Sequence, residues 1–305
     1  MIKFIKAVIN FNLYSLLKIF KLDKYLKNVF GSILFLDSQY KRSLMKMNLY
    51  DIFYVIDIET IALCNRGKTS CESYCPVSII NRKNKYMDEN LYYKIIDDLS
   101  FINFKGSIRP HFYSEPLLDK RLVRFVKYAR AKCPNSEILI KSNGDYLSFD
   151  KYNELIDAGV NKFKITQYDG YFQKNIVDIY LKLNSDQRKS FQVRVLNSFY
   201  ENRGMYSREE VEGGWVINEV CNFPIEQMHV TSDGNAVVCP NDFDGAEITL
   251  GNVIENSLID IWQSDYYLNI RKQMQKGDRK ILGQLCVGCN HTVDLPTTTN
   301  YVHLK

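Results

Sequence analysis

Cysteine placement constrains this chain more than any other feature. Eight thiols occur in 305 residues: Cys64, Cys71, Cys75, Cys133, Cys221, Cys239, Cys286 and Cys289. Disulfide scaffolds are usually small, whereas this length is about two domains' worth and enough to bury a large core. The first apolar stretch lacks a small-residue cleavage site, and no run of 18 uncharged apolar residues is present. The expected compartment is therefore the reducing cytosol, where clustered thiols serve as metal ligands. Cys64, Cys71 and Cys75 fall within twelve residues. Three thiolates can wrap one iron–sulfur cube and leave its fourth iron without a protein ligand. Such an open position belongs to binding and catalytic centres. A three-thiol zinc knot completed by His111, or unrelated free thiols, are the competing readings. Cys221, Cys239 and the pair Cys286-Val287-Gly288-Cys289 make a closed four-thiolate site. Its spacing fits a structural zinc ribbon and a four-iron cluster equally. Cys133, at a helix end before Pro134, reads as a small buried hydrophobe.

The stretch after residue 50 alternates strand and helix signals. Strands are expected at 53–59, 107–113, 137–141, 162–166 and 191–195, with Pro110 weakening the second. Helical patterns lie near 89–100, 117–132, 149–158 and 172–185. Such alternation predicts βαβ units and a parallel sheet, curled into an open or partial barrel with its active groups at the C-terminal strand ends. No clean sixth strand is visible before residue 215. Lys and Arg total 40 against 35 Asp and Glu, too mild an excess for a protein that lives by phosphate neutralisation, so no nucleic-acid partner is expected. Hydrophobic residues at 46% and charged residues at 25% exclude a disordered or fibrous chain.

The flanks differ in character. Residues 1–50 are Lys-rich, and Ile5, Val8, Ile9, Leu16, Ile19 and Phe20 trace an apolar stripe at helical spacing. Two readings stand: a basic anchor giving residues 1–30 peripheral contact with an anionic membrane at the cytoplasmic face, or a helix packed on the next domain. Residues 201–220 read as a connector. Beyond them, 228–239 reads as a hairpin around Asp233-Gly234, 257–275 as one amphipathic helix, and 292–305 as a loose tail. The expected domains are 1–50, 51–205 and 206–305.

From Phe53 to Cys289 the chain resembles the radical S-adenosylmethionine (radical SAM) enzymes with a C-terminal SPASM or twitch cluster domain. The resemblance rests on Cys64, Cys71 and Cys75 after the first strand with Tyr74 before the last of them, on Tyr113-Ser114-Glu115 after the second strand, on Ser142-Asn143-Gly144 after the third, and on Asp169-Gly170 after the fourth. It continues in Asn202-Arg203-Gly204 and in the order Cys221, Asp-Gly hairpin, Cys239, Gly251-Asn252, Ile261-Trp262, Cys286-x-x-Cys289. Two departures stand out. The family's C-x3-C-x2-C is here C-x6-C-x3-C, a lengthening that loop-closure entropy tolerates, and Tyr113-Ser114 replaces two glycines.

The resemblance implies an α/β fold, a partial (β/α) barrel followed by a small α+β cluster domain. It implies a SAM-binding [4Fe-4S] cluster on Cys64, Cys71 and Cys75, and an auxiliary [4Fe-4S] cluster on Cys221, Cys239, Cys286 and Cys289, moving that site from zinc toward iron. It places S-adenosyl-L-methionine against Tyr74, Glu115, Ser142 and Asn143. The implied activity is reductive cleavage of SAM and hydrogen-atom abstraction, with oxidation or other modification of a sugar, cyclitol or similar small molecule and the auxiliary cluster as electron acceptor. A peptide-modifying maturase is the alternative substrate class, and a metal-stabilised binding protein the alternative outside enzymes. An electron donor such as flavodoxin or ferredoxin is implied. The residues name no general acid or base.

Overall fold

The computed structural model describes residues 48, 51–67, 71, 75–80, 82–83, 85–196, 220–243, 248–287, 289 and 291. The expected N-terminal helical segment, Tyr74, the 201–219 connector and the 292–305 tail lie outside the described residues. So does the boundary expected near 205. Among the described residues no helix is long and apolar enough to cross a membrane.

One eight-stranded sheet organises the molecule, in the order β5-β4-β3-β2-β1-β6-β7-β8. β1 is Val55–Ile58, β2 Ser107–Arg109, β3 Glu137–Ser142, β4 Lys162–Gln167 and β5 Phe191–Val195. β6 is Gln227–Val230, β7 Asn235–Val237 and β8 Thr249–Asn252. β1 to β5 pair parallel in sequence order. The sixth parallel strand is β6, which pairs with β1 from Val55↔Gln227 to Ile58↔Val230. The segment expected as a hairpin of the C-terminal unit thus completes the barrel sheet, and only β7 and β8 run antiparallel beyond it. The Asp233-Gly234 turn is present, with Gly234 at φ +84°, a conformation that favours glycine.

The helices fall where apolar periodicity meets capping chemistry. α1 (Glu89–Phe101) starts at Asp88, whose carboxylate accepts from Asn90 N and Leu91 N. α2 (Leu122–Lys132) begins five residues later than expected, because a 3-10 turn at Pro116–Leu118 comes first. α3 is Phe149–Ala158, capped by Ser148. The helix expected at 172–185 divides at extended Leu183 into α4 (Lys174–Lys182) and α5 (Ser185–Ser190), the latter opened by an Asn184–Gln187 capping box. A short α6 is Phe223–Glu226. The helix expected at 257–275 breaks at Ser264, which is extended and caps the next turn, giving α7 (Leu258–Gln263) and α8 (Asp265–Gln275). α9 is Gly283–Val287. β2 stops at Arg109 because Pro110 offers no N–H to continue the ladder.

Strand alternation divides the parallel sheet into two faces. Ile56, Ile58, Ile108, Ile138, Ile140, Phe163, Ile165 and Val193 join Leu91, Ile95, Phe125 and Leu155 of the helices in one buried cluster. Each fully buried side chain of this kind contributes roughly 1.5–3 kcal/mol. Cys133 is part of that core at 2% exposure. The other face carries Asp57, Arg109, Lys141, Lys164 and Arg194, and it lines the barrel interior.

Candidate functional site

A parallel sheet brings the loops after all its strands to one end, and the first thiol group lies in the loop after β1. Cys75 N donates to Cys71 O at 2.7 Å, and Arg66 N donates to Cys64 Sγ at 3.5 Å. Burial pushes the Cys64 thiol up to about 11 and the Cys71 thiol up to about 12, and the neighbouring thiols of the group push both further. Three thiolates here therefore need compensating positive charge, which bound iron supplies. His111, the residue that would complete a zinc knot, has its Nδ1 3.6 Å from Asp57 Oδ1.

The lengthened loop is pinned by a residue that sequence reasoning missed. Arg66, 8% exposed, forks onto two carboxylates. Its Nε and Nη2 donate to Asp145 Oδ2 and Oδ1 at 2.7 and 2.6 Å. Its Nη1 and Nη2 donate to Asp169 Oδ1 and Oδ2 at 2.8 Å each. Asn65 Nδ2 also donates to Asp145, and Gln173 Nε2 donates to Asp145 Oδ1 at 2.7 Å. The loop after β1 is thereby tied to the ends of β3 and β4. A rigid bidentate fork holds geometry better than a point charge.

Three of the four expected SAM-side residues meet in one hydrogen-bonded unit. Glu115, 1% exposed, accepts at Oε1 from Leu117 N (3.0 Å) and Ser142 Oγ (2.7 Å), and at Oε2 from Asn143 N (2.8 Å). Its own N–H donates to Leu63 O, one residue before Cys64. Asn143 Nδ2 donates to Asn65 Oδ1 at 2.9 Å, next to Cys64 on the other side. Burial pushes the Glu115 carboxyl up to about 7 against the pull of those donors. Gly144, at φ +83°, lets the chain turn here. A Cβ would meet Ile165 Cγ2 at 2.8 Å and Ile176 Cδ1 at 2.9 Å. Tyr113, standing where the family has glycine, turns its ring away. Its hydroxyl donates to Pro240 O beside Cys239, and the ring meets Phe243 edge-on at 5.9 Å.

The second thiol group forms around the segment after β7 and α9. Cys221, Cys239, Cys286 and Cys289 are all buried. Burial pushes the Cys239 and Cys286 thiols well up, and the charges of the other three cysteines of the group add to the Cys239 shift. Asn241 Nδ2 and His291 N donate to Cys289 Sγ at 3.2 and 3.4 Å. Arg279, 1% exposed, donates to Cys289 O at 3.0 Å and to His291 O. N–H donors aimed at sulfur and a buried cation nearby are the surroundings that stabilise ligating thiolates. The mutual charge coupling of the thiols within each group, with N–H donors on Cys64 and Cys289 sulfur, suits iron–sulfur cubes at both places.

Comparison with known proteins accords with this architecture. The model of the SPASM family, an iron–sulfur cluster-binding domain, matches residues 221–290. The S-adenosyl-L-methionine-dependent 2-deoxy-scyllo-inosamine dehydrogenase of Niallia circulans is 32% identical over 252 residues, covering 82% of this chain and 97% of that protein. The chain belongs to the radical SAM enzymes that carry a SPASM-type auxiliary cluster domain, and it is an oxidoreductase with S-adenosylmethionine and [4Fe-4S] clusters as cofactors. Among solved structures, BtrN in complex with AdoMet and 2-DOIA superposes with a TM-score of 0.70 at 31% identity, covering 79% of this chain and 94% of BtrN. Selenomethionine BtrN in an open conformation gives 0.63 at 28% identity, with 83% and 99% covered. The partial barrel followed by a small cluster domain is therefore the fold of this chain.

Proposed function

We propose that this enzyme dehydrogenates an alcohol carbon of a polyhydroxylated small molecule, a cyclitol or sugar. The SAM-side cluster sits on Cys64, Cys71 and Cys75, and the electron-accepting cluster on Cys221, Cys239, Cys286 and Cys289. The observation that supports the site assignment is the convergence of Glu115, from the loop after β2, with Ser142 and Asn143, at the end of β3, beside Cys64. The relative named for 2-deoxy-scyllo-inosamine supports a small polyol as substrate. With its cofactors bound, such a site supplies a carbon-centred radical that removes a hydrogen atom and a second iron–sulfur centre that takes up one electron.

The chain's own residues do the rest. Glu115 presents a buried carboxylate to the ammonium end of SAM, oriented by Ser142 and Asn143. Arg66 fixes the cluster loop against β3 and β4, so that the thiols keep one arrangement. Four protein ligands at the second site leave it closed, which suits electron transfer over substrate ligation. The reaction runs in the reducing cytosol, with a flavodoxin or ferredoxin as electron source.

Anaerobic reconstitution tests this reading. Loaded protein should hold roughly eight irons per chain, and adding SAM should change the electron paramagnetic resonance signal of the reduced N-terminal centre. An unaltered signal at saturating SAM refutes the assignment of that centre.

A further inference from the structure

One carboxylate inside the barrel stands between two imidazoles. Asp57, the third residue of β1 and 3% exposed, lies in register with Arg109 of β2 on one side and His229 of β6 on the other. His229 Nδ1 is 3.0 Å from Asp57 Oδ2. His111 Nδ1 faces the other oxygen, Oδ1, at 3.6 Å, and the His111 backbone N–H donates to Arg109 O at 2.8 Å. Arg109 Nη1 lies 3.9 Å from the same Oδ1. The roles assigned above to Glu115 and Arg66 use none of these groups.

Three atoms of this cluster are buried without a hydrogen-bond partner: Asp57 Oδ1, His111 Nδ1 and His229 Nε2. An orphaned buried polar atom costs about 1–3 kcal/mol, and three at one spot mark a place that does more than pack. The two rings differ in access. His229 is fully buried, with the Phe112 and Phe223 rings 5.5 and 6.1 Å away, so it braces Asp57 and meets no ligand. The His111 side chain keeps 16% exposure. With Nδ1 buried against Asp57, its Nε2 is the nitrogen open to the barrel interior. His111 also stands four residues before Glu115, in the segment that follows β2.

The charge states follow from the surroundings. Burial alone would raise the Asp57 carboxyl, but Lys141, the His229 hydrogen bond, His111 and Arg109 hold it far below the usual carboxylate range. Burial and the Lys141 charge push the His111 imidazole down to about 3, with Asp57 opposing. His111 is therefore neutral at pH 7. A facing carboxylate selects the tautomer with its proton on Nδ1, which leaves Nε2 as an acceptor. A separation slightly beyond hydrogen-bond length is common in catalytic pairs before substrate closes on them.

We propose that His111 Nε2 takes the hydroxyl proton of the substrate as the alcohol carbon is oxidised, with Asp57 and His229 as positioning residues. The inference rests on the dehydrogenase reading above and supplies the proton acceptor which that reading leaves unnamed. The C–H hydrogen leaves as an atom to the carbon-centred radical drawn from SAM. One electron leaves to the auxiliary cluster, and the O–H proton passes to Nε2 as the carbonyl forms. Once the electron has gone, the hydroxyl is that of a protonated carbonyl, a much stronger acid than an imidazolium, so a ring held low still accepts its proton. The imidazolium then faces the Asp57 carboxylate, which stabilises it.

Ring-nitrogen NMR and product analysis on the cluster-loaded, SAM-bound protein test it. In protein labelled with nitrogen-15 histidine, the signals that disappear in His111→Gln should show a protonated Nδ1 and a bare Nε2 at neutral pH. Asp57→Asn keeps the shape but removes the acceptor charge, and it should shift that proton toward Nε2. Product analysis uses 2-deoxy-scyllo-inosamine and scyllo-inositol deuterated at carbon as probes. His111→Gln should still cleave SAM and pass deuterium into 5′-deoxyadenosine, while ketone formed per 5′-deoxyadenosine falls at least about tenfold. Asp57→Asn should lower the same ratio and stands as the independent second variant. A bare Nδ1 in the wild-type ring, or a ketone ratio unchanged in both variants, overturns the proposal. Wild-type protein that cleaves SAM yet oxidises neither polyol counts against the dehydrogenase reading instead, and the tautomer then decides the His111 assignment by itself.

Discussion

Glu115→Gln separates the function of the buried carboxylate from its packing. A carboxylate offers about four acceptor positions. Leu117 N, Ser142 Oγ and Asn143 N occupy three, leaving one for the ammonium of SAM. A hydrogen bond to a charged group contributes about 1.5–3 kcal/mol, so the variant should bind SAM roughly 10- to 150-fold more weakly at pH 8. The pH dependence is more telling. Burial raises the Glu115 carboxyl from 4.5 to about 7. A raised acid is protonated below that pH, so the affinity its charge supplies is complete above pH 7 and falls roughly tenfold per unit beneath it. Stability of the ligand-free protein runs oppositely. The contribution is fully present below 4.5 and is lost as pH rises through 7, an interval worth at most about 3 kcal/mol. Anaerobic calorimetry of SAM binding from pH 5.5 to 8.5, wild type against Glu115→Gln, isolates the effect, because SAM's own titration cancels in the ratio. The ratio should shrink toward one as pH falls below 7. A ratio constant across the range refutes the ammonium-binding role.

Other substitutions address the surrounding parts. Arg66→Met leaves Asp145 and Asp169 facing each other; with those side chains 19% and 27% exposed the loss should be about 1–3 kcal/mol, below the 3–5 of a fully buried pair. Iron counting and magnetic resonance should show loss at the N-terminal centre alone, and Arg66→Lys should not restore it because an ammonium cannot fork. Cys71→Ala should abolish reductive SAM cleavage, whereas Cys286→Ala should retain it and stop substrate oxidation, as chromatography of 5′-deoxyadenosine and product would read. Gly144→Ala should cost about 1–2 kcal/mol in backbone strain and 1–3 more in overpacking against Ile165 and Ile176, seen as a lower melting temperature together with weaker SAM binding.

Local chemistry wrote some of this into the sequence and left the rest out. β3, β4 and β5 were readable because short apolar runs end at turn residues. The first thiol group and the Cys286-Cys289 pair were readable because their spacing is short, whereas Cys221 and Cys239 stand far from that pair in sequence. β6 was readable as the first arm of the 228–239 hairpin, which it forms with β7, but not as the sixth parallel strand, since its partner β1 lies some 170 residues earlier and no periodicity reports a pairing across that gap. Arg66 was hidden for the same reason: its partners stand 79 and 103 residues away. A signal existed in Asp145 and Asp169, acids following two motif strands with no partner in sight. Capping residues inside apolar periods, Ser264 and Asn184, mattered more than the periods themselves. The interior cations were visible as alternation in Ile138-Leu139-Ile140-Lys141 and Lys162-Phe163-Lys164-Ile165, yet a single strand does not show that its neighbours repeat the charge.

The continuity of the sheet across the two cluster regions explains why the chain tolerates a buried ion pair at their junction. Glu59, just past β1, is fully buried and accepts from Arg82 Nε and Ser232 N at 2.9 Å each. Arg82 lies a few residues past the first thiol group and also donates to Phe243 O in the segment after Cys239. Burial pushes the Glu59 carboxyl up while Arg82 pulls it back. Such a pair adds little net stability over an apolar contact. What it adds is geometric: the Glu59–Arg82 pair ties the end of β1, the end of β6 through Ser232 N on the carboxylate, and the segment after Cys239 through Phe243 O on the guanidinium. Tyr113 makes a parallel tie from the Glu115 motif to Pro240. On the dehydrogenase reading proposed above, an electron passes from substrate to the second cluster, and both centres need to be held to one frame. Here the frame is β1, flanked by β2 on the SAM side and β6 on the auxiliary side, with strands held about 4.8 Å apart by their ladders.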